Sequence, residues 1–188
     1  MNRWLNISRI GRLAVVVILV SLVGCVQPSS KGKYVRVEGF GIGTTYRIIA
    51  RAESGSVSEI RQAAEDVFAE MTASMSIFDS TSLVSRVNRN ATDSVDRHIT
   101  QMISLARGVN AISGGMYDVT VAPLTEAYGF AGGVAQQQPN VDSLLEFVGM
   151  EKVQIEEGRI IKSDPRVRLD FNSIAKGYTV DCIAAEIE

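Results

Sequence analysis

The stretch Leu169–Asp181, LDFNSIAKGYTVD, decides how the rest of the chain is read. An apolar run ends on an acidic residue, a short polar turn follows, and a helix opens with a lysine near its mouth. The amides and positive dipole of a helix N-terminus receive phosphate, and Lys176 adds a point charge there. Asp170, at the end of the expected strand, can hold a sugar hydroxyl, a ring nitrogen or a metal. The plainer alternative has Asn172 capping the helix, Lys176 solvated and Asp170 paired locally. After Asp181 the last helix shows barely two turns of apolar face, Ile183 to Ile187, and nothing caps it, so the chain reads as cut rather than finished.

Working back from this stretch, RVRLDF reads as a strand and KVQIEEGRIIKSD as a hairpin turning at Glu157–Gly158. NVDSLLEFVGM is a short helix, opened by Asn140 or Asp142 and stopped at Gly149. GFAGGVAQQQP is a linker by its glycine and glutamine content, and MYDVTVAPL is extended until Pro123 closes it. A helix from about His98 carries Ile99, Met102, Ile103, Ala106, Val109 and Ile112 on one side and stops at Gly114–Gly115. SIFDSTSLVSRVNRNA is a polar loop with a short helix after Ser80. Ser56 with Glu59 has the spacing of a capping box. Ile60, Ala64, Val67, Phe68, Met71 and Met75 then recur at helical spacing. YVRVEGFGIGTTYRIIARA gives two extended segments broken at Gly39, Gly41 and Gly43. Strands and helices do not alternate regularly, so a layered α+β fold is expected rather than a doubly wound sheet.

Bulk properties narrow the chemistry. The chain has 188 residues, 46% of them hydrophobic, which suits one globular domain. A net charge of −2 offers no general attraction to nucleic acid. Two cysteines make no disulfide framework, and Cys182 reads as a small apolar filler on a helix. His98 is the only histidine, so a histidine-rich zinc site is excluded; its polar surroundings suggest an exposed or capping role. No G-x-x-x-x-G-K-[ST] loop is present, so a phosphate would not be read by a P-loop.

At the other end, Arg3, Arg9 and Arg12 precede an uncharged apolar run, Leu13 to Val23. That run falls short of the ~20 residues of a membrane span and has the proportions of a secretory core. LVGC, residues 22–25, resembles the lipobox of bacterial lipoprotein signal peptides. The resemblance implies cleavage before Cys25 and lipid on its thiol. Residues 1–24 are then a signal peptide, 25–33 the lipidated cysteine and a polar tether, and 34–188 the domain. The domain would face the periplasm from the cell envelope, and Val26 after the cysteine carries no obvious inner-membrane retention signal.

Three more stretches can carry chemistry. In GGMYDVTVAPL, Asp118 stands among apolar and aromatic residues, a costly setting for an unpartnered charge. On a strand Thr120 would share its face, and Tyr117 could cover an aromatic ligand. Asp118 is either a ligand contact or a buried cap for a neighbouring turn. FGIGTTY lacks the third glycine and the following helix of the dinucleotide fingerprint. SIFDSTSLVSRVN presents Phe78 and Asp79 in a turn, with Ser80 or Ser82 as helix caps.

GIGTTY, IFDSTSLVSRVN, GGMYDVTVAPL and LDFNSIAKGYTVD, in this order, resemble the motifs of the ApbE family of FAD:protein FMN transferases. The resemblance covers about Tyr34 to the end. It implies a T-fold-related α+β domain that binds FAD with Mg²⁺, transfers FMN to a Ser or Thr hydroxyl of a target flavoprotein and releases AMP. The targets implied are subunits of respiratory or exported redox complexes. Carried over by position, Ile42 (where methionine is usual), Phe78 (where tyrosine is common), Met116, Tyr117, Asp118, Asp170 and Lys176 are expected to line the FAD site. The backbone carbonyl of Ser173 is expected to reach Mg²⁺. Asp118→Ala is expected to weaken FAD binding and leave the fold standing. Family members extend well past the 188 − 24 = 164 mature residues here. The part beyond normally supplies acidic and threonine metal ligands and a base histidine, so no catalytic residue is assigned and the chain alone is expected to be inactive. A metal-dependent FAD pyrophosphatase and a non-catalytic flavin-binding lipoprotein are the competing readings.

Overall fold

Strands β1 (Lys33–Gly41) and β2 (Thr44–Ala52) form an antiparallel hairpin with Lys33 opposite Ala52 and Gly41 opposite Thr44. Val35 and Val37 point inward, while Arg36 and Glu38 alternate outward, as the two-residue period of a strand requires. The turn is Ile42–Gly43, both at positive φ (42° and 76°), the conformation whose twist suits a two-residue hairpin loop. A β-branched residue is strained there. This structure is a computed structural model describing residues 33–52 and 56–188. The expected signal peptide, Cys25 and nearly all of the tether lie outside the described residues; Lys33, the tether's last residue, already begins β1.

Helix α1 (Val57–Met75) buries Ile60, Ala64, Val67, Met71 and Met75 on one face. Ser56 precedes it in αR geometry with no side-chain cap bond, so the expected capping box does not form: a capping hydroxyl needs an extended N-cap residue. Helix α2 (Leu83–Asn88) is capped by Ser82, whose Oγ accepts from the Ser85 N–H at 3.1 Å. Helix α3 (Arg97–Ile112) is capped by Asp96 through the Ile99 N–H at 2.9 Å. Its Ile99, Met102, Ile103 and Ala106 are buried, but Ile112 is 87% exposed, so the apolar stripe outruns the core. Gly114 and Gly115 end the helix at positive φ.

Helix α4 (Ala122–Ala127) follows, with Pro123 in its first turn, then α5 (Val141–Leu145), capped by Asn140. After a 3₁₀ turn at Met150–Lys152, β3 (Val153–Glu156) and β4 (Arg159–Lys162) form the second antiparallel hairpin. It turns at Glu157–Gly158, both at positive φ. Helix α6 (Asn172–Ile187) closes the described structure.

Two expected strands are not strands. MYDVTVAPL and RVRLDF meet only at one parallel bridge, Val121 with Arg168, and at the Asp170 N–H, which donates to the Val119 carbonyl at 2.7 Å. Side chains take the backbone groups a ladder would use. Asn88 Nδ2 donates to the Leu169 carbonyl and Asn88 Oδ1 accepts the Leu169 N–H, both at 2.8 Å. Lys162 Nζ donates to the carbonyls of Val87 and Val167.

The architecture is α+β: two separate two-stranded hairpins among the described residues, with helices packed on them. Helix α1 contacts β1, α2, α3 and α6. One core joins α1, α2 and α3 to Val153, Ile160, Leu169 and Phe171, and a smaller one lies under the first hairpin at Val35, Val37 and Ile60. These cores set α6 with its N-terminus between the first hairpin's turn and the Tyr117 loop.

Candidate functional site

Phe171, fully buried, ends the segment before α6 and fixes where the helix starts. Asn172 does not cap the helix; it is the first helical residue, and its N–H donates to Asp170 Oδ1 at 2.9 Å. Asp170 is 8% exposed, and its Oδ2 accepts from Thr125 Oγ1 at 3.2 Å. Its carboxylate is thus held by its own turn and by α4, the local pairing weighed as the plainer reading.

The loop before α4 reaches the same helix mouth. Tyr117 OH lies 2.9 Å from Ser173 Oγ, and Asn110 Nδ2 donates to the Tyr117 carbonyl at 2.7 Å. Burial, reinforced by the nearby charges of Asp170 and Asp118, pushes the Tyr117 phenol above its ordinary range, so it stays a neutral hydrogen-bonding group. Asp118 is half-buried, and its carboxylate is heavily used. Oδ1 accepts from the Thr120 N–H at 2.8 Å and Thr120 Oγ1 at 2.6 Å, while Oδ2 accepts from the Met150 N–H at 3.0 Å. Asp118 and Thr120 are therefore partners in a turn, not neighbours on a strand face. Met116 is 91% exposed and stands apart from the cavity.

On the other side of the α6 mouth, Ile42, Phe78, Asn172 and Lys176 surround a cavity of 460 Å³, floored by Met71 and Met75 of α1. That volume is within the usual range for a small-molecule site, roughly 300–1,000 Å³. A second hollow of 310 Å³ shares Ile42, Lys176 and Thr179 with it and runs under Tyr46 and Phe68. Those two rings lie 4.9 Å apart, centre to centre. Gly41 is required by close approach: an added Cβ would sit 2.6 Å from the Phe68 ring.

The residues named from sequence thus form two groups about one helix end. Ile42, Phe78 and Lys176 face the cavity. Tyr117, Asp118, Asp170 and Ser173 knit the adjoining loop together. Asn172 joins them, because it lines the cavity while Asp170 holds its amide. For Mg²⁺ the fit is poor. The described residues hold no cluster of three or more His, Cys, Asp or Glu able to bind a metal. The carboxylates of Asp118 and Asp170 are occupied internally, and one carbonyl at Ser173 is far short of six oxygen ligands.

Sequence reasoning passed over three supporting residues. Asn88 and Thr125 are helical residues whose partners, Leu169 and Asp170, lie far along the chain and leave no local signal, and Asn110 reaches past the end of its own helix to the Tyr117 carbonyl. It also misplaced His98, which is not exposed but 6% accessible. His98 Nδ1 lies 3.0 Å from Tyr178 OH, and Nε2 lies 3.3 Å from Glu70 Oε2. Burial, then the Cys182 hydrogen bond, pushes the Tyr178 phenol up to about 12. Cys182, half-buried against the core, borders a hollow of 870 Å³ together with Glu70, His98 and Tyr178. That hollow is larger than the cavity at α6's mouth, yet none of the sequence-named site residues reaches it. Size alone does not select a site.

The chain is similar to two proteins named FAD:protein FMN transferase. The one from Haemophilus influenzae is 28% identical over 195 residues, covering 95% of this chain and 55% of that protein. The one from Vibrio cholerae is 27% identical over 175 residues, covering 88% and 52%. The chain therefore spans about half the length of the curated relatives it matches. Among solved structures, the flavin transferase ApbE of Vibrio cholerae superposes with a TM-score of 0.73 at 26% identity, over 82% of this chain and 53% of that one. The Pseudomonas stutzeri flavinyl transferase ApbE, at 23% identity and a TM-score of 0.75 over 84% and 55%, shows the shared fold. The model of the ApbE family matches residues 42–188, from the strained turn of the first hairpin through α6, and the chain belongs to the ApbE family.

Proposed function

We propose that this chain supplies the flavin-nucleotide-binding part of an enzyme that moves FMN from FAD onto a Ser or Thr hydroxyl of a target flavoprotein. One observation carries the reading: Ile42, Phe78 and Lys176, from three separated motifs, converge on one 460 Å³ cavity at the mouth of α6. Ile42, Met71, Met75 and Phe78 give apolar walls for a flavin ring. Lys176 and the positive end of α6 face the side where a diphosphate carries its charge. Asp170 and Asn88 hold the segment entering that helix, so the positive end is fixed before ligand arrives.

In the reaction, the target hydroxyl oxygen bonds to the FMN phosphorus and gives up its proton. The bond from that phosphorus to the AMP oxygen breaks, and AMP leaves with that oxygen and takes up the proton directly or through solvent. Chain residues bind and orient FAD and neutralise its diphosphate. Mg²⁺ belongs to this reading through the family resemblance; the described residues do not complete a site for it, and no step is assigned to it. The targets fitting the reading are subunits of respiratory or exported redox complexes. The chain would be lipid-anchored at Cys25, on the periplasmic side of a bacterial cell envelope.

The test is a titration of the chain with FAD, followed by mass spectrometry of a candidate target incubated with FAD, Mg²⁺ and an enzyme that carries this chain at its relatives' full length. Lys176→Ala and Phe78→Ala should each weaken FAD binding, and the target should gain the mass of FMN. Free FMN and AMP without an adduct would assign hydrolysis instead. FAD affinity indifferent to both substitutions would overturn the site.

A further inference from the structure

The outer face of the first hairpin does not line the 460 Å³ cavity, though Thr45 and Arg47 border the adjoining 310 Å³ hollow, and its composition is unusual for a solvated surface. The register of β1 and β2 places Tyr34 beside Arg51, Arg36 beside Ile49, Glu38 beside Arg47 and Phe40 beside Thr45, all on the side away from the core. Tyr34 is 77% exposed, Phe40 72% and Ile49 62%. Large apolar groups are thus interleaved with three arginines on one two-stranded sheet. Among the described residues of this face the one acid is Glu38, whose Oε1 accepts from both Arg36 and Arg47 at 2.6 Å; Arg51 is partnered as well. Counted over the described residues, the face sets three arginines against that one acid, on a chain of net charge −2.

From this we infer that the hairpin's outer face docks on an anionic phospholipid bilayer, its arginines on lipid phosphates and its tyrosine, phenylalanine and isoleucine at the headgroup boundary. Arginine with aromatic and aliphatic groups is the pairing that holds a protein in the membrane interface. The chain's own layout brings the face there. Eight residue steps separate Cys25 from Lys33, so β1 starts within about 30 Å of the proposed acyl anchor even when fully extended. That proximity rests on the anchoring part of the proposed function; the charge and exposure of the face do not. Docking would hold the α6 mouth in a fixed orientation to the membrane, where membrane-embedded targets present their hydroxyls.

The test uses the chain from Val26 onward, which keeps every described residue and lacks both the acyl site and Trp4, the only tryptophan. It is sedimented with phosphatidylcholine vesicles and with vesicles rich in phosphatidylglycerol. Binding is expected on the anionic vesicles alone, falling steeply with added salt. Each arginine on an anionic surface is worth about fivefold in partitioning, so the Arg36→Gln/Arg47→Gln pair should lose about 25-fold. In Phe40→Trp, the introduced tryptophan should be quenched by lipids brominated along their acyl chains. Equal binding to neutral vesicles, no loss in the double variant, or an unquenched tryptophan would overturn the inference. Self-association through this face without vesicles would assign it to a second copy of the chain. Acyl labelling of the full chain and its Cys25→Ser variant reads the anchor independently.

Discussion

Asn88→Ala should cost this fold more than its partly exposed position suggests. The side chain closes a two-way bridge to Leu169, donating to its carbonyl and accepting its N–H, both at 2.8 Å, across 81 residues of sequence. Leu169 is fully buried, so truncation leaves a donor and an acceptor facing apolar neighbours. At ~1–3 kcal/mol for each unsatisfied buried group, relieved in part by a water entering the gap, the loss should be about 2–4 kcal/mol. Asn88→Asp keeps an acceptor for the N–H but sets a carboxylate oxygen against the Leu169 carbonyl, so it should recover little of the loss. Urea unfolding is the assay. With a slope of ~1–3 kcal/mol/M, the midpoint should fall by about 1–2 M at unchanged slope. FAD affinity, measured well below the new midpoint, should fall as well, because Leu169 leads directly into Asp170 and the α6 mouth. A stability within ~0.5 kcal/mol of the parent, the range of an ordinary surface substitution, would refute the bridge. Lost stability with intact FAD affinity would refute its link to the site.

Asp118→Ala should destabilise by about 2–4 kcal/mol, because Thr120 N–H, Thr120 Oγ1 and Met150 N–H all lose their acceptor; thermal denaturation measures it. The sequence-based expectation is only that the fold is left standing; the three lost acceptor bonds put a cost on it. Ile42→Asn should cost about 1 kcal/mol less stability than Ile42→Ala, since asparagine tolerates the left-handed turn position, while both weaken FAD binding; paired melts and titrations decide. Tyr178 carries a phenol raised from 10.0 to about 12, so the folded chain keeps a proton that the unfolded chain releases. Its stabilising contribution is whole below pH ~10 and is lost as pH rises toward ~12. Tyr178→Phe should flatten the alkaline fall in stability across that window, as followed by circular dichroism against pH.

The elements that were legible are those whose signals lie within a few residues. Ile60, Ala64, Val67 and Met71 announce α1 by spacing, and burial follows the same face. Glu157–Gly158 marks its hairpin because positive φ is a local demand. The two strands that failed, around Asp118 and Arg168, had the right residue types for extended chain. Their backbone groups, among them the N–H groups of Leu169 and Thr120 and the carbonyl of Val167, are met by Asn88, Asp118 and Lys162 instead of by a ladder. His98 went astray for a related reason: its neighbours in sequence are polar, but Tyr178 and Glu70 enclose it from α6 and α1.

Taken alone, the amino-acid order determined the long helices, the Glu157–Gly158 turn and the α+β class, each through periodicity or turn chemistry over a handful of residues, and, through the resemblance of four ordered motifs, the family. It did not give α4, and it set breaks at Gly39 and Gly41, which lie inside an unbroken β1. Only the tertiary structure decided that Ile42, Phe78 and Lys176 share a cavity, and that Asp118 and Asp170 spend their carboxylates holding the loop and the helix start beside it. Hydrophobic burial can bring distant segments together in many arrangements. Which carboxylate remains available to a ligand depends on which backbone donors the packed chain leaves within reach.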